Sequence, residues 1–196
     1  AGRRVYQATS PQLAASPILR GRQSAISPRE ALILISLLNH PWLLHDHLEE
    51  VAVLEFTHQD AQKLRDMIVA TVVGQEPARN AEVEATRLRH LLAEKGLAPL
   101  VERIEQAVTA PAVWGAQPEA AAEDVLATWH QLIVLHRQRH ALLKELKDAE
   151  RALGEAVSEA NCAWLNDVKG RLAQTEGLEA LIEGFGEASG RFQRNV

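Results

Sequence analysis

The longest uninterrupted helical pattern in the chain covers residues 119 to about 154, which contain no proline and only one glycine, Gly154. Seven residues in this stretch recur at alternating spacings of three and four, namely Leu132, Leu135, Arg139, Leu142, Leu146, Ala149 and Leu153. This spacing predicts one apolar seam along one α-helix. At 1.5 Å per residue such a helix is roughly 50 Å long, more than a small bundle needs. We therefore expect part of it to project or to pair with another helix.

A second helical pattern with the same spacing follows and ends at Gly177. Its seam consists of Leu165, Val168, Leu172 and Thr175. The chain can turn around Gly154 and Ser158, so an antiparallel helical hairpin satisfies both seams. The alternative is one unbroken coiled-coil helix, because Gly154 alone is not a compelling break.

Before the long helix, the sequence predicts five short helices. The 31 alanines and 27 leucines among 196 residues favour helix, and the first predicted helix is apolar nearly all round, so it should be central and buried. The helix boundaries are indicated by capping boxes at Ser27 with Glu30 and at residues 57–60, an N-cap at Asn80, a C-cap at Gly96 and an opening proline at Pro99. The predicted fold is all-α: a compact N-terminal helical bundle, one long connecting helix and a C-terminal helical hairpin.

Charge divides the chain into regions. Residues 1–27 hold four arginines and no acidic residue, and their prolines and serines predict a flexible basic linker. Residues 28–118 carry 13 acidic and 8 basic side chains, and residues 119–196 carry 13 and 9. An acidic body is a poor surface for DNA, so we expect a protein partner and no strong direct binding of nucleic acid. We assign the bundle to residues 28–134 and the hairpin, with a flexible tail, to residues 135–196.

Several classes of protein are excluded by what the sequence lacks. It has no apolar stretch long enough to cross a membrane and no segment resembling a signal peptide, so we expect a cytoplasmic protein. Phosphate-binding loops and nucleophile-elbow motifs are also missing, and the single cysteine, Cys162, excludes an internal disulfide. We expect no catalytic residue and no cofactor.

Two histidines on the long helix are the candidates for a metal site. His136 and His140 are four residues apart and could share a face, as metal ligands do. The residues between them include Arg137 and Arg139 and no glutamate, which argues against the zinc-protease pattern and against a nearby cation. We therefore expect surface or capping histidines and no metal, and a small enzyme or metal carrier using this pair is the minor alternative.

The hairpin is too thin to cover all its apolar side chains, so it is the expected surface for a partner. The apolar candidates are Trp164, Leu165, Val168, Leu172, Leu178, Leu181, Ile182 and Phe185, with Lys169 and Arg171 as charges at the rim. Trp164 has two interpretations that the sequence leaves open, burial against the other helix or exposure as an aromatic anchor. Trp42 and Trp129 are expected to pack into the bundle.

Four segments resemble the C-terminal domain of bacterial DNA primase. These are REALIL at residues 29–34, NHPWLL at 39–44, LEF at 54–56 and EALIEGFGEASGR at 179–191, the last similar to the ending of alphaproteobacterial primases. The motifs are helical and diffuse, but their order and spacing agree with a bundle, a long helix and a hairpin.

This resemblance implies a function without catalysis. In that family the domain docks primase on the N-terminal domains of the hexameric replicative helicase, the terminal hairpin makes the main contact and the bundle modulates the helicase. Polymerase chemistry for RNA primer synthesis belongs to other domains of primase, and residues 1–27 would correspond to the tether from them. We also expect the chain to be a monomer when alone. The alternative from the residues themselves is a self-associating structural module without a helicase partner.

Overall fold

A computed structural model describes residues 26–74, 80–108 and 113–182, with the side chains of the last helix described to Thr175. In these residues the chain forms seven α-helices, one short 3-10 helix and no strand, so the all-α prediction is confirmed. The helices are α1 Pro28–Asn39, α2 Leu43–Ala52, α3 Gln59–Val72, α4 Ala81–Glu94, α5 Ala98–Ala107, α6 Ala122–Glu155 and α7 Glu159–Ile182, and the 3-10 helix is Trp114–Ala116. None of the described helices combines the length and the apolarity that crossing a membrane requires.

Helix α1 is the centre of the bundle. Nine of its 12 residues are buried, and it packs against α3, α4, α5, α6 and the 3-10 helix. A helix can be covered from every side in this way only when it is apolar nearly all round, as the sequence of α1 is. Trp129 of α6 is fully buried in the same core, and Trp42 packs against it from the start of α2. The predicted positions of α1 and of both tryptophans are confirmed.

The start of α1 follows the sequence prediction only in part. Ser27 caps the helix, because its hydroxyl oxygen accepts the backbone N–H of Glu30 at 3.2 Å. Glu30 does not complete a capping box; its carboxylate points inward and accepts the backbone N–H groups of Thr57 at 2.5 Å and His58 at 3.4 Å. The second predicted box is also wrong, because α3 is capped by the His58 ring, whose Nδ1 accepts the N–H of Asp60 at 3.1 Å.

Later helix boundaries agree with the sequence. The side chain of Asn80 caps α4 by accepting the N–H of Glu82 at 2.8 Å. Gly96 has a φ of +74°, the left-handed conformation that ends a helix at low cost only for glycine. Pro99 lies in the first turn of α5. The core also includes Ile26, which is 7% exposed, so the packed structure begins two residues before the predicted start of the bundle at residue 28. Residues 1–25 lie outside the described part.

The 3-10 helix joins the C-terminal end of α1 to the long helix. The side-chain amide of Asn39 donates to the carbonyl oxygen of Ala116 at 2.9 Å, and the His40 ring donates to that of Gln117 at 3.0 Å. At Gly115 the 3-10 helix and α6 approach so closely that a Cβ atom would lie 2.5 Å from a backbone oxygen of α6. This contact fixes where α6 crosses the bundle.

Helix α6 carries two apolar stripes where the sequence predicted one seam. The first faces the bundle and contains Val125, Trp129, Leu132, Ile133 and His136. The second contains Leu135, Leu142 and Ala149, which are buried but are not part of the bundle core. At 3.6 residues per turn this second stripe lies roughly 120° around the helix from the centre of the first, and α7 packs against this helix. The residues of the predicted seam are all buried or half-buried, so the seam and the long helix are confirmed, but the prediction of only one seam misses the stripe that faces the bundle.

The hairpin prediction is confirmed and the unbroken coiled-coil alternative is wrong. Helix α6 ends at Glu155, and α7 starts at Glu159 and packs against α6. The side-chain amide of Asn161 closes the turn by donating to the carbonyl oxygens of Ala152 at 3.0 Å and Ala156 at 2.7 Å. The predicted boundary between residues 134 and 135 falls inside α6, so one continuous helix belongs to both units.

Candidate functional site

The predicted contact residues divide into three groups on the hairpin. Lys169, Arg171 and Trp164 are exposed, the last with 36% of its surface accessible. Leu165 and Leu172 are half-buried, and Val168 is fully buried between the two helices. The side chains of Leu178, Leu181 and Ile182, and the whole of Phe185, lie outside the described residues.

Val168 corrects the premise of the prediction. The sequence predicts it as spare apolar surface, but its side chain has no exposed area and is buried within the hairpin, as are Leu142, Ala149 and Thr175. A residue in that position stabilises the pairing of the helices and cannot touch a partner while the hairpin is closed. The hairpin surface available to a partner therefore comes from Trp164 and from the half-buried leucines beside it.

Trp164 contacts the other helix of the hairpin and is also partly exposed, so each of its two interpretations holds in part. Its indole N–H donates to Glu145 Oε1 at 3.1 Å across the hairpin, and Arg171 donates to the same oxygen at 2.5 Å. Arg171 also lies 3.0 Å from Asp167, one turn earlier on α7. Hydrogen bonds from Arg171 and then from Trp164 hold the pKa of Glu145 below its usual value. This exposed polar network orients the tryptophan and leaves part of its ring facing solvent.

A second exposed tryptophan lies on the bundle. Trp114, in the 3-10 helix, is 56% exposed, and its indole N–H donates to Asp124 Oδ2 at 3.1 Å. Each of the two tryptophans therefore donates its indole N–H to a carboxylate of α6, Asp124 in the first turn and Glu145 in the C-terminal half of the helix. This similarity makes them a matched pair for binding experiments.

The histidine pair on α6 is not the surface feature that we expected. His136 is 1% exposed, and its Nε2–H donates to the backbone carbonyl oxygen of Glu55 at 2.8 Å. His140 is half-buried, and its ring centroid lies 4.9 Å from that of His136. The carboxylate of Glu30 on α1 joins them: one ligand atom from each of the three residues lies within 4.8 Å of the others. The spacing of four residues signalled the two rings, but nothing local in the sequence pointed to Glu30.

Burial controls the ionisation of this histidine pair. It lowers the pKa of His136 to about 4, and the charges of Arg29 and Arg139 act in the same direction against a smaller effect of the Glu55 hydrogen bond. The pKa of His140 is lowered as well, mainly by burial and against the attraction of Glu30 and Glu55. Both rings are therefore neutral at pH 7, so each ring has one nitrogen with a lone pair.

Histidines near the start of α2 mostly lie beside carboxylates. His45 Nε2 lies 2.7 Å from a carboxylate oxygen of Glu84, and His47 Nδ1 lies 3.3 Å from one of Glu50. His40 is the exception, because it is 4% exposed and burial lowers its pKa. These rings connect helices and do not converge on one point.

The chain was compared with protein families, curated proteins and solved structures. No family model matches the chain, and neither a curated protein nor a solved structure matches it significantly.

Proposed function

We propose that this chain is the helicase-interaction domain of a bacterial DNA primase and has no polymerase chemistry of its own. In this proposal the C-terminal hairpin docks on the N-terminal domains of the hexameric replicative helicase, and the bundle modulates the helicase during primer synthesis. The support from the sequence is the set of four segments that resemble this domain. The support from the fold is the order of its parts, a bundle followed by one shared helix and a terminal hairpin.

The observation that carries the proposal is the incomplete cover of the hairpin. Two helices bury only a narrow seam between them, with Val168 and Leu142 at its centre, and leave Trp164 partly exposed and Val157 87% exposed. A tryptophan already oriented by Glu145 loses little side-chain freedom on binding, which is the property of an interface anchor. Lys169 is exposed on the same helix and is suited to accelerating the encounter with an acidic partner.

The two exposed tryptophans test this proposal directly. The chain is mixed with the hexameric replicative helicase of the same organism, and the mass is followed by light scattering and the affinity by calorimetry. Trp164→Ala should weaken the complex about tenfold or more, the usual cost of removing an interface anchor. Trp114→Ala removes a more exposed indole, 56% against 36%, from the bundle and should change the affinity by less than about twofold.

Three outcomes contradict the proposal or part of it. If no complex forms at micromolar concentrations, the helicase assignment fails. If the two tryptophan variants bind equally, the docking surface is not on the described part of the hairpin. If alanine at Leu181, Ile182 and Phe185 together leaves binding unchanged, the end of the chain takes no part in docking. The run without helicase checks the expected monomer, and a concentration-dependent dimer would favour the self-associating module.

A further inference from the structure

We propose that Glu30, His136 and His140 form a binding site for a divalent transition-metal ion of the zinc type. Two imidazoles and one carboxylate are a ligand set that suits such ions. Glu30 on α1 is more than 100 residues away in sequence from both histidines on α6, and the site is independent of the proposed docking of helicase.

The ring nitrogens carry the argument. Because His136 Nε2–H donates to the Glu55 carbonyl oxygen, its Nδ1 has the lone pair, and this atom is buried without a hydrogen-bond partner. His140 Nε2 is likewise buried without a partner. A backbone carbonyl that fixes the tautomer of a histidine while the other nitrogen binds the metal is the usual outer arrangement of metal sites. A purely structural role explains the hydrogen bond of His136 but not a second buried and unpaired nitrogen on each ring.

Glu30 can serve as the third ligand without giving up its present contacts. Its two oxygens accept backbone N–H groups from Thr57 and His58, and a carboxylate has about four acceptor positions, so lone pairs remain. Ligand atoms around a tetrahedral zinc ion are separated by roughly 3.3 Å, from bonds of about 2.0 Å. The present spacing of up to 4.8 Å therefore has to shorten, and the half-buried His140 is the residue with room to move.

The surroundings provide access and set a limit on affinity. A cavity of about 160 Å³, lined in part by Leu54, Glu55 and His140, opens beside the site and leaves space for a water ligand. The Glu55 carboxylate lies 3.8 Å from His140 Nδ1 and adds negative charge. Arg29 and Arg139 oppose a cation, since both lower the pKa values of the histidines. We therefore expect micromolar rather than nanomolar affinity.

The test uses the full chain without an affinity tag and freed of metal by a chelator. Co²⁺ is titrated and followed by its visible absorption, and Zn²⁺ is then added to displace it. One ion should bind per chain, and His140→Gln should weaken binding at least about tenfold, because one of three protein ligands is lost. His140 is half-buried, so this variant keeps the fold, which unfolding in urea verifies. His90→Gln is the control, since that side chain is 72% exposed on α4 and remote from the site.

Imidazole ¹⁵N signals identify the ligands independently. Zn²⁺ should shift the signals of His136 and His140 and leave those of His45, His47 and His90 in place. The proposal is overturned if no ion binds at up to about 100 μM, if His140→Gln binds as tightly as the native chain, or if the shifted signals belong to the histidines of α2. Helicase is absent from every step, so neither result depends on the proposed function.

Discussion

Lowering the pH should destabilise the bundle through His136, because the fold buries this ring in its neutral form. The side chain is 1% exposed, and burial lowers its pKa from 6.5 to about 4. The hydrogen bond to Glu55 raises the pKa but does not offset burial, and the nearby charges of Arg29, His140 and Arg139 lower it further. The folded protein therefore resists protonation that the unfolded chain accepts freely.

The sign and size of the effect follow from this difference. Between pH 6.5 and pH 4 the unfolded chain binds a proton at His136 and the folded chain does not, so the free energy of unfolding decreases as the pH falls through this window. Above the window the contribution is constant. Each pH unit inside it corresponds to about 1.4 kcal/mol. From pH 7 to pH 5 the loss from His136 is therefore about 2 kcal/mol, a large part of a typical stability of about 5–15 kcal/mol.

The assay compares the native chain with His136→Gln by urea unfolding at pH 5, 6 and 7, followed by circular dichroism in the presence of a chelator. Glutamine has an N–H donor for the Glu55 carbonyl oxygen but no ionisable group, so the variant should lose about 2 kcal/mol less than the native chain over this range. His40 and His140 have lowered pKa values too, so a smaller slope of the same sign should remain. The exposed His90→Gln variant should keep the native slope.

The reasoning is refuted if His136→Gln and the native chain lose equal free energy between pH 7 and pH 5. It is also refuted if titration of the His136 ring by nuclear magnetic resonance gives a pKa near 6.5. Either result would mean that water reaches the ring in the folded protein.

Three further changes test the packing of the fold. Gly115→Ala should destabilise the chain by about 1–3 kcal/mol in urea unfolding, because the new Cβ overlaps the Thr128 side chain. An unchanged midpoint would show that the 3-10 helix and α6 are not in close contact. Gly170→Ala should stabilise α7 by about 0.5–1 kcal/mol, since the added methyl group meets open space in a helix interior; a loss of stability would contradict the helix assignment there. Val168→Ala should cost about 2 kcal/mol and accelerate amide hydrogen exchange in α7 more than in α1; equal effects on both helices would mean that the hairpin does not open separately.

Much of the fold was predictable because its signals are local. Proline at the start of α1, Asn80 at the start of α4 and a left-handed Gly96 at the end of α4 each act through their own backbone neighbourhood, so a sequence pattern is sufficient to locate them. The hairpin was one of two arrangements left open by the sequence, because two seams of equal spacing can cover each other by folding back or can belong to one unbroken coiled-coil helix. The break itself needed only three residues, 156–158, and no proline.

The buried polar residues were not predictable, because their partners are distant in sequence. Glu30 has the spacing of a capping box with Ser27, but the backbone N–H groups of Thr57 and His58 come within reach only after α1 and α3 have packed. The same applies to His136, whose partner is the carbonyl oxygen of Glu55. In both cases the position in the sequence suggests a local role, but the buried side chain forms a hydrogen bond with a distant backbone group instead, because leaving a buried polar group without a partner is costly.

The two stripes of α6 explain why this part of the chain concentrates the unusual chemistry. The bundle stripe continues through His136, while the hairpin stripe begins at Leu135 and continues to Leu142, so both are present within two turns. One helix can serve two cores on different faces only if the residues at the transition accept partial burial, and the half-buried Arg139 and His140 come directly after the last fully buried residue of the bundle stripe, His136. Polar side chains with apolar stems tolerate that environment better than aliphatic ones. The position that breaks the apolar seam in the sequence is therefore the position where the helix passes from one unit to the other.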